Sequence, residues 1–194
     1  MFLLKKPSPA QVRRFITCHS DLPFSYSEVG ATAEQLPAGY LVDHNRQKLG
    51  HGAEVFDRAV AALKQWQQFD LGWVKIVPDQ APIGVGIVVG VLARHFGFWS
   101  LSACRIAYLI DEGGPIRKIG FAYGTLIDHV ERGEERFTIE YHSADGSVWY
   151  DILAFSQPGK LIIKLSLPLA RMLQKRFARD SKRRMLECVA PGNR

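Results

Sequence analysis

The stretch SVWYDILAFSQPGKLIIKLSLPLARMLQKRF, residues 147–177, changes period in its middle, and that change decides the fold. Before Pro158 the residues alternate. Trp149, Asp151, Leu153 and Phe155 stand on one face, and Val148, Tyr150, Ile152 and Ala154 on the other. Alternation of period two is the mark of a strand, and since both sets are largely apolar, this strand is expected to be covered on both faces. After Pro158 the apolar residues recur every three or four positions. Ile162, Leu165, Leu169, Leu173 and Phe177 make one stripe, which predicts a long amphipathic helix from about residue 159 to 187. Pro168 falls inside it and must either kink the helix or mark its true start, because proline has no N–H for the preceding turn.

Upstream of this junction, more strands follow in hairpins. Residues 135–159, ERFTIEYHSADGSVWYDILAFSQPG, read as one hairpin with its first strand at 136–142 and its turn at Ala144–Asp145–Gly146. On its first arm Phe137, Ile139 and Tyr141 should face inward, with Arg136, Thr138, Glu140 and His142 solvated. WSLSACRIAYLIDEGG and IRKIGFAYGTLIDHVERGEE form another hairpin, turning at Asp111–Pro115, where Phe121 and Tyr123 alternate with Gly120, Ala122 and Gly124. Earlier still, the run Ile83–Ala93 predicts an apolar strand loosened by glycine, and FDLGWVKIVP ends in a short one. GYLVDHNRQKLG, 39–50, has strand character in its first half. Two helices complete the pattern. One covers residues 8–20, with Ser8 as cap and Pro9 in the first turn; the other follows Gly52, with Val55, Phe56, Ala59, Val60 and Leu63 on one face.

Runs of strands closed by a helix predict an α+β fold: a curved antiparallel sheet of about five strands gripping a long C-terminal helix, with a helix at the N-terminus. One domain over residues 1–188 and a short tail at 189–194 account for the 194-residue chain, of which 47% is hydrophobic. An apolar cavity is the expected result of a curved sheet closed by a helix.

Composition narrows the function classes. No apolar run approaches the roughly 20 residues of a membrane span, and MFLLKKPSP is not ordered like a secretory signal, so the expectation is a cytoplasmic protein. Cys18, Cys104 and Cys188 are scattered, with no CxxC pair, so they read as free thiols and a zinc ribbon is not indicated. The net charge of +6 is uneven: ten Lys/Arg against Asp180 and Glu187 make residues 160–194 +8 and leave the rest −2. Such a basic element can attract nucleic acid or an anionic membrane, although a solvated helix face explains it as well, and no zinc finger, RNP motif or GXXG loop is present.

Candidate sites are few. LGHG, 49–52, precedes a helix, but it lacks the lysine of a phosphate loop and the third glycine of a dinucleotide fingerprint. Gly50 and Gly52 therefore read as backbone requirements, with His51 beside them. In VDHNR, Asp43 and His44 are neighbours on a strand and should point to opposite faces, which argues against an acid/base pair. His44 and His51 remain as possible polar groups of a site. The six histidines show no HxH or HxxxH spacing, so no metal and no cofactor is expected. For a cavity wall the sequence offers Trp99, Phe121, Tyr123, Tyr141, Leu165, Leu169 and Leu173, with Tyr123 or Tyr141 as the polar handle.

Three phrases go further: GYLVDHNRQKLGHGAEVFDRAVAALKQWQQFDLGW, GFAYGTLIDHVERGEERFTIEY and SVWYDILAFSQPGKLIIKLSLPLARMLQKRFARDS resemble the domain of unknown function 1990 family, also called uncharacterised protein family 0548. The resemblance spans about residues 10 to 187 and implies a fold similar to the START-like, helix-grip superfamily. It carries over no activity and no catalytic residue. The readings it leaves are a protein that binds a small apolar or aromatic ligand, an enzyme of the cyclase, dehydratase or hydrolase kind using the same cavity, and an interaction module acting through the basic helix.

Overall fold

In the computed structural model, which describes residues 1–127, 129, 131–158 and 167–191, every strand pairing is antiparallel. In chain order the elements are β1 (Phe2–Leu3), α1 (Pro9–His19), β2 (Leu41–His51), α2 (Ala53–Lys64), a 3-10 turn (Gln67–Phe69), β3 (Val74–Val77), β4 (Val88–His95), β5 (Phe98–Glu112), β6 (Ile116–Thr125), β7 (Glu131–His142), β8 (Ser147–Pro158) and α3 (Leu167–Val189). The sheet runs β2-β8-β7-β6-β5-β4-β3, with β1 added against β5. It is the curved antiparallel sheet with a closing C-terminal helix that the periodicities predict, with eight strands among the described residues rather than about five.

The two faces of the sheet are covered differently. On the inner face, α2, the 3-10 turn and α3 pack over β2, β6, β7 and β8. Phe56, Ala59 and Leu63 of α2 are buried against Phe121, Phe137, Ile139 and Tyr150 of the sheet. The α3 stripe continues beyond Phe177 through Ser181, Met185 and Val189, all buried, and the Ser181 hydroxyl meets the Tyr150 hydroxyl at 3.0 Å. Of the predicted stripe, Ile162 and Leu165 lie outside the described residues, as does the side chain of Leu169. Pro168 is the second described residue of α3, and residues 159–166 before it lie outside the described ones, so which of its two expected roles it takes falls there too.

On the outer face, α1 covers β3 to β5 through Val12, which packs against Val77, Leu92 and Leu101. Its first turn is closed by a capping box: Gln11 N–H donates to Ser8 Oγ at 3.3 Å, and Ser8 N–H to Gln11 Oε1 at 2.8 Å. One carboxylate gathers much of the segment after α1. Glu134, 2% exposed, accepts from Tyr26 O–H at 2.8 Å, Gly30 N–H at 2.7 Å, Thr32 N–H at 3.0 Å and Thr32 O–H at 2.5 Å. A buried carboxylate is tolerable when it is this fully bonded.

Bulges set which side chains face in. In β5 the register shifts between Ile106 and Tyr108, so Ile106 joins the inner core while Tyr108 turns outward to Thr32 Oγ1 at 2.7 Å. In β2 it shifts between Lys48 and Gly50, and Leu49 enters the core. Gly50 and Gly52 have φ of 152° and 92°, and a Cβ on Gly50 would press on Val55 at 3.3 Å. The two glycines are thus the turn from strand to α2.

Several expectations need correction. The apolar run at 83–93 begins its strand only at Val88, because a turn closes through Ile87 N–H to Gly84 O at 3.0 Å and Gly86 has φ 84°. β7 starts at Glu131, five residues before the predicted 136, since the polar run ERGEE pairs with β8 despite its composition. Thr138 is buried rather than solvated, and Glu140 and His142 are not free in solvent: Arg46 bonds Glu140, and His142 stands beside Trp149. Gly120 faces the β7 backbone so closely that a Cβ would overlap the Phe137 carbonyl oxygen. Gly120→Ala is therefore expected to cost about 1–3 kcal/mol, read as a lowered midpoint in urea unfolding, while Gly113→Ala in an open turn leaves it within about 0.5 kcal/mol.

Candidate functional site

Between the inner face of the sheet and the N-terminal half of α3 lies a cavity of about 770 Å3. Its apolar wall comes from Leu173 and Phe177 on α3, Phe69 and Trp73 beside the 3-10 turn, and Val74 and Val91 on β3 and β4. The strands also turn polar groups into it: Ser102 and Cys104 from β5, Tyr123 from β6, and Glu131 and Glu135 from β7. Alternation explains the last pair. Glu131, Glu135 and Phe137 share the inner face, while Glu134 and Arg136 point outward to their partners there.

The polar groups differ in how completely they are satisfied. Asp43, at the cavity edge, takes Arg171 of α3 through both nitrogens at 2.5 and 3.3 Å. Glu131 accepts from Gln174 Nε2 at 3.0 Å. Glu135 accepts from the Tyr123 hydroxyl at 2.9 Å, and no other donor to it is present among the described residues. His129 accepts from the Glu131 N–H at 3.0 Å through Nδ1.

Burial governs how these groups titrate. The Glu135 carboxyl is pushed up to about 7, first by burial and then by the charges of Glu131 and Asp43, against the lowering effect of Tyr123's hydrogen bond. The residue is half-buried, and its open part faces the cavity. Glu131 is raised by burial too, with Gln174 and Arg171 opposing. Burial brings His129 down to about 4, so its ring is neutral near pH 7. The Tyr123 phenol and the Cys104 thiol are both raised by burial and stay protonated. The cavity thus combines an apolar wall with a pole of carboxylates, one of which changes charge near neutral pH.

The residues proposed from sequence fall in different places. Tyr123 and Leu173 line the cavity. Leu165, and the side chain of Leu169, lie outside the described residues. Phe121 is core, with its ring 4.8 Å from Trp66. Tyr141 packs on Phe56 under α2, and Trp99 lies on the outer face with the α1 cluster. His51 is exposed at the sheet edge, its Nδ1 3.3 Å from the Asp145 carbonyl. His44 is among the residues lining the cavity, but its imidazole bonds Asp151 at 2.6 Å on the outer face, where Arg46 and Arg136 also reach that carboxylate at 3.1 and 3.0 Å. Asp43 and His44 are split, as their adjacency predicts. Among the described residues no group of His, Cys, Asp and Glu could hold a metal ion. Sequence reading missed Glu131, Glu135 and Trp73; the alternation of ERGEERF carried the signal, but ERGEE reads as the end of the strand before it.

The basic helix is less free than its composition suggests. Lys175, Arg176, Arg179 and Arg183 are exposed, whereas Lys182 and Arg184 are half-buried. Lys182 reaches Asn45 at 3.1 Å, Arg184 bonds Gln67 and Asp70, and Arg176 lies over the Trp73 ring at 4.3 Å. No helix among the described residues is long and apolar enough to cross a membrane.

A family model described as a domain of unknown function, DUF1990, matches residues 25–184. A UPF0548 protein of Dictyostelium discoideum is 41% identical over 208 residues, covering 97% of this chain and 96% of that protein. A UPF0548 protein of Deinococcus radiodurans is 36% identical, covering 97% and 99%. Among solved structures, a START superfamily protein from Mycobacterium smegmatis has a TM-score of 0.47 at 13% identity, over 77% of this chain and 99% of that one. A likeness at that level carries nothing about this chain's chemistry.

Glu135 gives the site a measurable signature. Its carboxyl titrates near 4.5 when unperturbed and near 7 in the fold. Between those values the unfolded chain has released a proton that the fold retains. Its contribution to stability therefore falls as pH rises from about 4.5 to about 7. His129 works oppositely, losing stability as pH falls from 6.5 toward about 4, and a comparison of variant with wild type at each pH cancels it. Glu135→Gln should match the wild-type Tm near about pH 4 and exceed it near about pH 8. Thermal unfolding followed by circular dichroism reads the gap; a gap that does not change with pH contradicts the placement of Glu135.

Proposed function

The chain belongs to the DUF1990 family of domains of unknown function, and we propose that it is a binding protein for a small molecule with an apolar or aromatic body, held between the sheet and α3. The observation that carries this reading is the cavity of about 770 Å3. Close-packed interiors leave few voids larger than a water molecule. This one falls in the range of roughly 300–1,000 Å3 over which proteins enclose small ligands. Leu173, Phe177, Phe69 and Trp73 supply the apolar contact, and Tyr123 with Glu135 supplies polar contact at the far wall. The reading treats residues 1–188 as one ligand-binding domain. It places the protein in the cytoplasm, where Cys18, Cys104 and Cys188 stay as free thiols.

A second reading has one observation in its favour. The Tyr123–Glu135 pair puts a carboxyl that titrates at about 7 inside the cavity, which suits proton transfer at neutral pH and hence an enzyme of the cyclase, dehydratase or hydrolase kind. Binding comes first because a carboxyl and a phenol facing a cavity are sufficient to orient a ligand, whereas a reaction needs a substrate whose labile proton they reach. The interaction-module reading draws the least support, since Lys182, Arg184 and Arg176 are engaged within the chain.

The binding reading is tested with N-phenyl-1-naphthylamine, a probe uncharged at neutral pH that fluoresces in apolar surroundings. Wild-type protein should enhance its emission saturably at one site. Leu173→Trp, which fills the cavity from α3, should weaken binding about tenfold or more at unchanged Tm. Tyr141→Phe, under α2, should bind as wild type does. Absence of saturable emission, or equal affinity in all three proteins, would remove the cavity as a ligand site.

A further inference from the structure

We propose that the cavity recognises an amine: its ligand carries a protonated amino group that seats on the Glu135 carboxylate, with the apolar body against Phe69, Trp73 and Phe177. This rests on the binding reading and names the ligand class that reading leaves open.

The first ground is hydrogen-bond accounting. A carboxylate offers about four lone-pair sites. The chain fills those of Glu134, Asp151 and Asp43 largely from within, while Glu131 takes the Gln174 amide. Glu134 takes four donors from the segment at 26–32. Asp151 takes His44, Arg46 and Arg136, and Asp43 takes both arms of Arg171. Glu135 receives one donor, the neutral Tyr123 hydroxyl on Oε2. Its remaining acceptor sites open into the cavity, and no cation of the described residues bonds it. These acceptor sites have no donor among the described residues, and a ligand N–H supplies one.

The second ground is the charge that faces Glu135 from each packed element. Glu131 on its own strand and Asp43 on β2 are acidic, and Arg171 on α3 is spent on Asp43. Tyr123 on β6 and Cys104 on β5 stay protonated and neutral, and so does His129. Lys182 on α3, bonded to the neutral Asn45, and Arg132 on β7 also line the cavity, but the charges that bear on Glu135 are those of Glu131 and Asp43. At Glu135 the surroundings therefore favour a cation. Lys175 and Arg179 stand at the cavity margin but are exposed, where water and salt screen them. Burial together with Glu131 and Asp43 raises the Glu135 carboxyl to about 7, and an ammonium beside it relieves both effects. The aromatic walls add favourable ring faces for a cation.

Three probes with one ring system separate the terms: 2-(1-naphthyl)ethylamine, 2-(1-naphthyl)ethanol and 1-naphthylacetate, titrated calorimetrically into the full chain. At about pH 8 the amine should bind about tenfold or more tighter than the alcohol, the margin of one charge-assisted hydrogen bond. The margin should shrink toward about pH 6 as Glu135 takes up its proton. Glu135→Gln should abolish the margin, whereas Tyr123→Phe should keep it. An amine no tighter than the alcohol in wild type, a margin that survives Glu135→Gln, or a preference for the acetate overturns the proposal. The wild-type comparison and its pH dependence decide the matter even if the Gln variant fails to fold. If the alcohol binds and the amine gains nothing, the amine falls and the cavity stands; if none of the three binds, both fall.

Discussion

The ring of Phe69 is where the three layers of the inner side meet. It is fully buried, 5.4 Å from Phe137 on the sheet, 4.9 Å from Phe177 on α3 and 5.9 Å from Trp66 at the end of α2. A short 3-10 turn places it there, immediately after Trp66, which holds a left-handed conformation and donates its indole N–H to the Ala81 carbonyl at 2.8 Å. Around Phe177, α3 meets the sheet through tilted and edge-on aromatic rings, whereas farther along, at Ser181, a small residue lies directly against Tyr150. The space on the N-terminal side of those rings, where Leu173 and Gln174 face β7 and β8, is then the cavity. The wedge that anchors the helix is thus also what keeps the interior open.

Much of this was legible in the sequence, and the remainder was hidden for identifiable reasons. The hairpins at 98–125 and 131–158 announce themselves by alternation and by turn residues, and the closing helix by its stripe. Local pattern suffices for these. It fails at ERGEE, where residues that read as the end of the preceding strand are the first half of β7. Composition there reflects the cavity and the Glu134 clasp, both made by distant residues. It fails again at Trp99 and Tyr141, since an aromatic on a strand says only that it is covered. Which layer covers it depends on the bulges in β2 and β5, which shift the faces without a strong sequence mark. Glu135 was missed because a charged residue on a strand is taken for the solvated face, and only the enclosing helix makes it an interior one.

The two faces of β7 and β8 hold acidic residues under opposite conditions. Outside, Glu134 and Asp151 are surrounded by donors, and they tie the segment at 26–32, β2 and β7 to the sheet. Inside, Glu135 has one neutral donor and a raised affinity for its proton. Neighbouring positions on one strand therefore serve cohesion and recognition separately. The completeness of hydrogen bonding, more than burial or charge alone, tells them apart.

The sheet is open, so its strand order has two ends, β2 and β3. Raw strand edges invite copies of a chain to add themselves in succession. Neither end of this sheet offers a good template. β3 is four residues long and runs straight into Pro78, which has no N–H to give an incoming strand. β2 is long enough, but its register is broken at Lys48–Gly50, and His44, Arg46 and Lys48 crowd its outer side with hydrated, partly cationic groups that an incoming strand would have to strip of water. A fold built around an unclosed sheet can in this way hold a hollow interior and still resist growing into fibres.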